Sequence, residues 1–296
     1  MPAHRLVFTS KAVMMGLREA DEPASVVFDG WTFTELYEPG VHVDVRPGLG
    51  RYRLELSRAV ASVDEFWHLE PEGIHLLEDL QRVWAYAWGT PMHSSGFGIF
   101  LSILRAPDGW SSNGDELCEA LQRERGGLIV KGRGTSTSRH WRYAPQFPLR
   151  RAVQALRWYR AASEDNPVRE LIHLHYRAHV INDSEGPPLI LAKALEIVRE
   201  LLPGKTTAEK QAALPPGVES LLSYPLNQLF NLQQNRRETR HAVVRTGAEL
   251  HPPMDGVEGL AFLKSADLVV NAVVAERLGL EPWLPSEGEA PAPSAS

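Results

Sequence analysis

Apolar positions in the first half of the chain come in short runs: His4–Phe8, Ser25–Leu36, Val41–Val45, Tyr52–Leu56, Phe97–Leu104 and Leu128–Val130. Runs of this length, rich in β-branched and aromatic residues, predict strands. Pro39-Gly40, Pro47-Gly48 and Pro107-Asp108-Gly109 punctuate several of them as turns. Two helical patterns lie between the strands. One is expected to open at Ser62 as N-cap, with Glu65 at the capping-box position. It is interrupted at Pro71 and resumes through Ile74, Leu77, Leu80, Trp84 and Trp88, which recur at helical spacing. The other is GDELCEALQRER, with Leu117, Ala120 and Leu121 facing inward.

After Pro148 the period becomes helical throughout. LRRAVQALRWYRAAS, VRELIHLHYRAHVI and LILAKALEIVRELL predict three helices, closed by Asp165-Asn166-Pro167, Gly186-Pro187-Pro188 and Pro203-Gly204. A fourth is expected from Val218 to Val244, after Pro215-Pro216-Gly217, and a fifth from Gly259 to Leu278, stopped by Gly279. No repeat of fixed period stands out. The expected class is α+β: a mixed domain over residues 1–145, an all-α helical domain over 146–281, and a disordered tail over 282–296.

Charge narrows the function. With 31 Lys and Arg against 37 Asp and Glu the net charge is −6, so a uniformly basic nucleic-acid coat is excluded while a local basic patch is not. One cysteine, Cys118, excludes an intramolecular disulfide and a zinc ribbon. No run approaches the ~18 apolar residues of a membrane span. The opening residues also lack the apolar core of a secretory signal. The expectation is a cytoplasmic protein with no membrane partner.

In GLIVKGRGTSTSRHWR, Lys131 precedes the glycines and no helix follows, which is the wrong order for a phosphate loop. Between Gln122 and Arg142 six basic residues face one acid, Glu124. Lys131, Arg133, Arg139 and Arg142 thus form a secondary basic patch, with Trp141 and Tyr143 available to stack on bases. The plainer alternative is a solvated rim. His175 and His179 of LIHLHYRAH are four apart and share a helix face, whereas His173 lies about 200° from His175. With no acid in register beside them, they read as hydrogen-bonded interface histidines, and neither metal nor cofactor is expected.

The most informative stretch is LNQLFNLQQNRRETRHAVVRTGAEL, where an amphipathic helix runs into Asn235-Arg236-Arg237-Glu238-Thr239-Arg240-His241. A permanent guanidinium fork beside an imidazole that titrates near neutrality suits phosphodiester chemistry without a metal. A solvated helical face with internal Arg–Glu pairs is the alternative. Arg236, four residues, then His241 resembles the R-x4–6-H motif of HEPN domains, small helical domains many of which are metal-independent ribonucleases. AVQALRWYRAASEDNPVRELIHLHYRAHVI resembles their opening helix pair. LAKALEIVRELLPG followed by NRRETRHAV resembles a group of uncharacterised bacterial proteins with this domain. The resemblance covers Pro148 to Leu280.

The resemblance implies an RNA endonuclease acting through 2′-hydroxyl attack, in stress response or antiviral defence. Arg236 and His241 would be catalytic, and Asn235, Arg237, Arg240 and Arg245 would hold RNA. It further implies a homodimer with the motif at its interface, and an N-terminal half that receives a regulatory ligand or protein. Two departures stand out: Arg237 where the family usually has a polar residue, often Asn, and Ala178–His179 where many relatives carry an acid. On a straight helix Arg236 and His241 would also point about 140° apart. A distorted helix, a sweeping arginine or a second copy of the chain would be needed to join them. Two other readings remain: a non-catalytic dimer that binds nucleic acid or protein, and a small-molecule metalloenzyme built on His175 and His179.

Overall fold

The computed structural model describes residues 4–10, 14–17, 25–39, 49–88, 100–105, 116, 117, 119, 120, 149–179, 186–236, 254–282 and 284. The chain divides into two compact units, Met1–Ala161 and Ala162–Ser296, and its class is α+β.

The first unit carries an antiparallel sheet of β1 (His4–Ser10), β2 (Met14–Leu17), β3 (Ser25–Phe28), β4 (Trp31–Pro39), β5 (Leu49–Val60) and β6 (Phe100–Arg105). Its order is β3-β4-β5-β1-β6, with β2 alongside the start of β5. The single strand expected over Ser25–Leu36 is a hairpin. Asp29 and Gly30 turn with φ of 53° and 76°, the positive values a tight two-residue hairpin needs, and Phe28 pairs with Trp31. The short β2 was not expected. Val41–Val45 and Leu128–Val130 lie outside the described residues; of GDELCEALQRER the structure describes Glu116, Leu117, Glu119 and Ala120, all helical.

Register puts Leu6, Phe8, Trp31, Phe33, Leu54 and Leu56 on one sheet face, all buried. Helix α1 (Val63–Trp88) contributes Phe66, Leu69, Leu76, Leu80, Val83 and Trp84 to the core. Its start is as expected: Ser62 Oγ accepts from the Glu65 N–H (3.1 Å), and Glu65 Oε2 accepts from the Ala61 N–H (2.7 Å). The expected break at Pro71 is absent, and α1 runs straight through it. Pro71 is exposed, so its ring lies on the solvent face of a long helix whose other side is packed.

Helix α2 (Leu149–Ala161) corrects the expected domain boundary at residue 145. It packs on α1 and belongs to the first unit. Leu149, Ala152, Val153, Ala155, Leu156 and Tyr159 are buried, and Arg151 Nη2 donates to the Tyr86 carbonyl (3.2 Å). The helix that the resemblance makes the first of its bundle therefore folds with the sheet.

The second unit is helical: α3 (Pro167–Ala178), α4 (Pro187–Leu201), α5 (Thr207–Ala212), α6 (Val218–Leu221), α7 (Leu226–Asn235) and α8 (Gly256–Arg277). Helix α8 is its axis. Phe262, Ala266, Val269, Val270, Val273 and Val274 are buried around its circumference, against α3, α4, α6 and α7. Over residues 218–236 the single helix expected from Val218 to Val244 is instead α6 and α7, separated at Pro225, which cannot continue a helix and serves as the N-cap of α7; residues 237–244 lie outside the described residues. Ser265 Oγ accepts from the N–H groups of Ser223 (3.0 Å) and Tyr224 (3.2 Å), satisfying the backbone of that break. Gly279, with φ of 69°, ends α8 as expected. Among the described residues no helix is long and apolar enough to cross a membrane.

Asn166 opens α3 by accepting from the Val168 N–H (2.9 Å) through Oδ1. Asn166→Ala is expected to destabilise the second unit by about 1 kcal/mol, with Asn166→Asp close to neutral, as read by urea denaturation.

Candidate functional site

Two groups of polar side chains in the second unit bring together residues with potential for chemistry. The first lies at the end of α7. Asn235, its last residue, is exposed and donates to Asn231 Oδ1. Arg236 leaves the helix in an extended conformation (φ −109°, ψ 148°), its N–H still bonded to the Leu232 carbonyl. The helix that would have held Arg236 and His241 on different faces thus stops at the arginine. Arg236 Nη2 donates to Glu258 Oε1 at 2.6 Å, both side chains being about a quarter or less exposed. Glu258 is held in turn in the first turn of α8, where its N–H donates to Asp255 Oδ1 (2.7 Å). Of the other residues expected here, Arg237, Arg240, His241 and Arg245 lie outside the described residues, as do Lys131, Arg133, Arg139 and Arg142 of the secondary basic patch.

The second group was not expected as a unit. His175, in the last turn of α3, and His179, its C-cap, both direct Nε2 at Asp267 Oδ1 of α8, at 2.8 and 2.6 Å. Their rings meet edge to face, centroids 5.1 Å apart. The two are hydrogen-bonded histidines between helices, as expected; their acid comes from a helix some ninety positions further along the chain, which spacing within one helix cannot reveal. A signal did exist. Asp267 is the single carboxylate within the apolar stretch from Ala266 to Ala275, and a charge in such a setting needs a partner. His173 takes no part in this cluster, in line with its different helix face.

His175 is 2 % exposed, and His179 and Asp267 are each 20 % exposed. Burial is the strongest influence on His175 and pushes its pKa down, against the raising effect of the hydrogen bond and charge of Asp267; the charge of His179 lowers it further. For Asp267 burial is also the largest single effect and pushes upward. The charge of His179 and the hydrogen bonds from both imidazoles, with the charge of His175, outweigh it and hold the carboxyl well below the usual range. The cluster thus joins a carboxylate to a histidine biased toward the neutral form, whose ring can offer a lone pair.

No family model matches the chain, and comparison with curated proteins and with solved structures finds no match either.

Proposed function

We propose that the chain is an RNA endonuclease of the HEPN kind, working without a metal at the scissile phosphate. The reading rests on the resemblance in sequence and on one structural observation: α7 stops at Arg236 with the backbone extended. Arg236 itself is extended and outside the helix, so the 140° separation of a continuous helix does not apply to the pair. The ribose 2′-oxygen attacks the adjacent phosphorus while His241 takes its proton. The P–O5′ bond breaks, and the departing oxygen is protonated, by His241 of a second copy where two motifs meet across a twofold axis. Arg236 stabilises the added charge of the pentacoordinate transition state. Arg237, Arg240, Arg245 and Asn235 hold flanking RNA, and the basic patch at Lys131, Arg133, Arg139 and Arg142 adds phosphate contacts. The products are a 2′,3′-cyclic phosphate and a 5′-hydroxyl. The first unit serves as the regulatory half, and control of a toxic activity of this kind fits stress response or antiviral defence.

A second reading is favoured by the Arg236–Glu258 contact. A guanidinium already balanced by a carboxylate at 2.6 Å is a structural tie, as in a non-catalytic dimer that binds nucleic acid or protein. Incubating the purified full chain with total cellular RNA in EDTA separates the two. Discrete new ends support the endonuclease. Retarded but uncut RNA, with an affinity that falls steeply with salt and is unchanged by His241→Ala, supports the binder and overturns the endonuclease.

A further inference from the structure

The His175–His179–Asp267 cluster is built for more than a hydrogen bond. Two imidazole nitrogens from neighbouring turns of α3 and a carboxylate oxygen from α8 converge, with all three ligand atoms within 4.8 Å of one another. We propose that they bind one divalent first-row transition ion, zinc foremost, as a two-histidine, one-carboxylate site with an open fourth position.

Donor chemistry selects the class. Two nitrogens and one oxygen suit zinc, iron, cobalt or nickel, whereas calcium and magnesium require far more oxygen than a single carboxylate supplies. Ligands about 2.0–2.1 Å from a tetrahedral ion stand about 3.3 Å apart. Here the nitrogens sit 2.6 and 2.8 Å from Asp267 Oδ1 and within 4.8 Å of each other, so side-chain rotations that open the two nitrogen–oxygen contacts by about 0.5–0.7 Å and draw the nitrogens together by up to about 1.5 Å admit the ion. Burial fits the same picture. His175 is enclosed and anchors the site, while the part-exposed edges of His179 and Asp267 leave access for the ion and for a water or an anionic oxygen as fourth ligand. Electrostatics agree as well: the ion neutralises a carboxylate in an apolar stretch of α8 and fastens the end of α3 to the middle of that helix.

The test uses the full chain, stripped with EDTA, re-equilibrated with zinc or cobalt(II), and assayed by elemental analysis, visible absorption and thermal melting. The expected result is one ion per chain, intense visible bands of low-coordinate cobalt, and a melting temperature raised by zinc. His179→Ala and Asp267→Asn should weaken binding by more than the roughly 10–100-fold that loss of an outer-shell partner costs, with circular dichroism unchanged, while His173→Ala binds as the parent does. Should either variant fail to fold, the parent cobalt spectrum decides: bands of a three-ligand protein site support the proposal, and the pale spectrum of hydrated cobalt overturns it. Retention of less than a tenth of an ion per chain, or binding undiminished in both folded variants, also overturns it. Because RNA cleavage is assayed in EDTA, its outcome is independent of this one.

Discussion

Replacing Arg236 and His241 together with alanine is expected to lower RNA cleavage by at least about a thousandfold. A positioned general acid or base accounts for about 10²–10⁴ in rate. Loss of a group that stabilises developing negative charge costs about 10²–10³. Because the two act on the same transition state, the double variant should fall short of the product of the single ones. Arg236→Lys keeps the charge but not the two-pronged geometry, so it should recover only part of the rate. Arg236 also balances Glu258, and its removal leaves that carboxylate part-buried without its partner of 2.6 Å. Folding of each variant is therefore measured alongside by circular dichroism and urea denaturation. Cleavage undiminished in a folded double variant would remove Arg236 and His241 from the mechanism.

The second large effect lies in the first unit. Gly73→Ala, in the middle of α1, is expected to destabilise that unit by about 3 kcal/mol, the upper end of ordinary overpacking. On helix propensity alone the change would stabilise by about 1 kcal/mol, so packing decides the sign. A Cβ at Gly73 would stand 2.2 Å from Phe8 Cε2, 2.7 Å from Phe8 Cζ and 2.8 Å from Trp31 Cη2. Neither ring can retreat easily. Both are buried, and Trp31 is pinned by its Nε1 donating to Glu72 Oε1 (2.8 Å), which also accepts from Arg58 Nη1 (2.8 Å). For a unit of this size the melting temperature should fall by about 6–12 °C. Phe8→Leu combined with Gly73→Ala should recover part of the loss, since the two sites share one space. A melting temperature unchanged or raised in Gly73→Ala would show that the helix does not approach the sheet so closely.

Much of the fold was readable from local pattern, and the failures share a cause. The strands at His4–Phe8 and Tyr52–Leu56 and the N-cap at Ser62 follow from periodicity and capping chemistry, which act within a few residues. Pro71 misled because a proline on the exposed face of a long, well-packed helix is tolerated where an isolated helix would break. The domain boundary was placed too early because the apolar face of Leu149–Ala161 shows that a helix packs, but not on which neighbour. The same limit hid the His–Asp cluster: His175 and His179 announce a shared face, while Asp267 joins them only through the tertiary pairing of α3 with α8. The R-x4-H spacing singles out Arg236 as a candidate. That it ends a helix and pairs with Glu258 depends again on where α8 lies.

Cleavage by the ribose 2′-hydroxyl under Arg236 and His241 can be read on a synthetic RNA spanning one cleavage position mapped in EDTA, prepared with and without a single 2′-deoxyribose on the 5′ side of the scissile phosphate. The all-ribose strand is expected to yield a 2′,3′-cyclic phosphate and a 5′-hydroxyl, and the deoxy-substituted linkage to survive intact. Cutting of the substituted linkage at the parent rate, leaving a 5′-phosphate, would exclude attack by the 2′-hydroxyl.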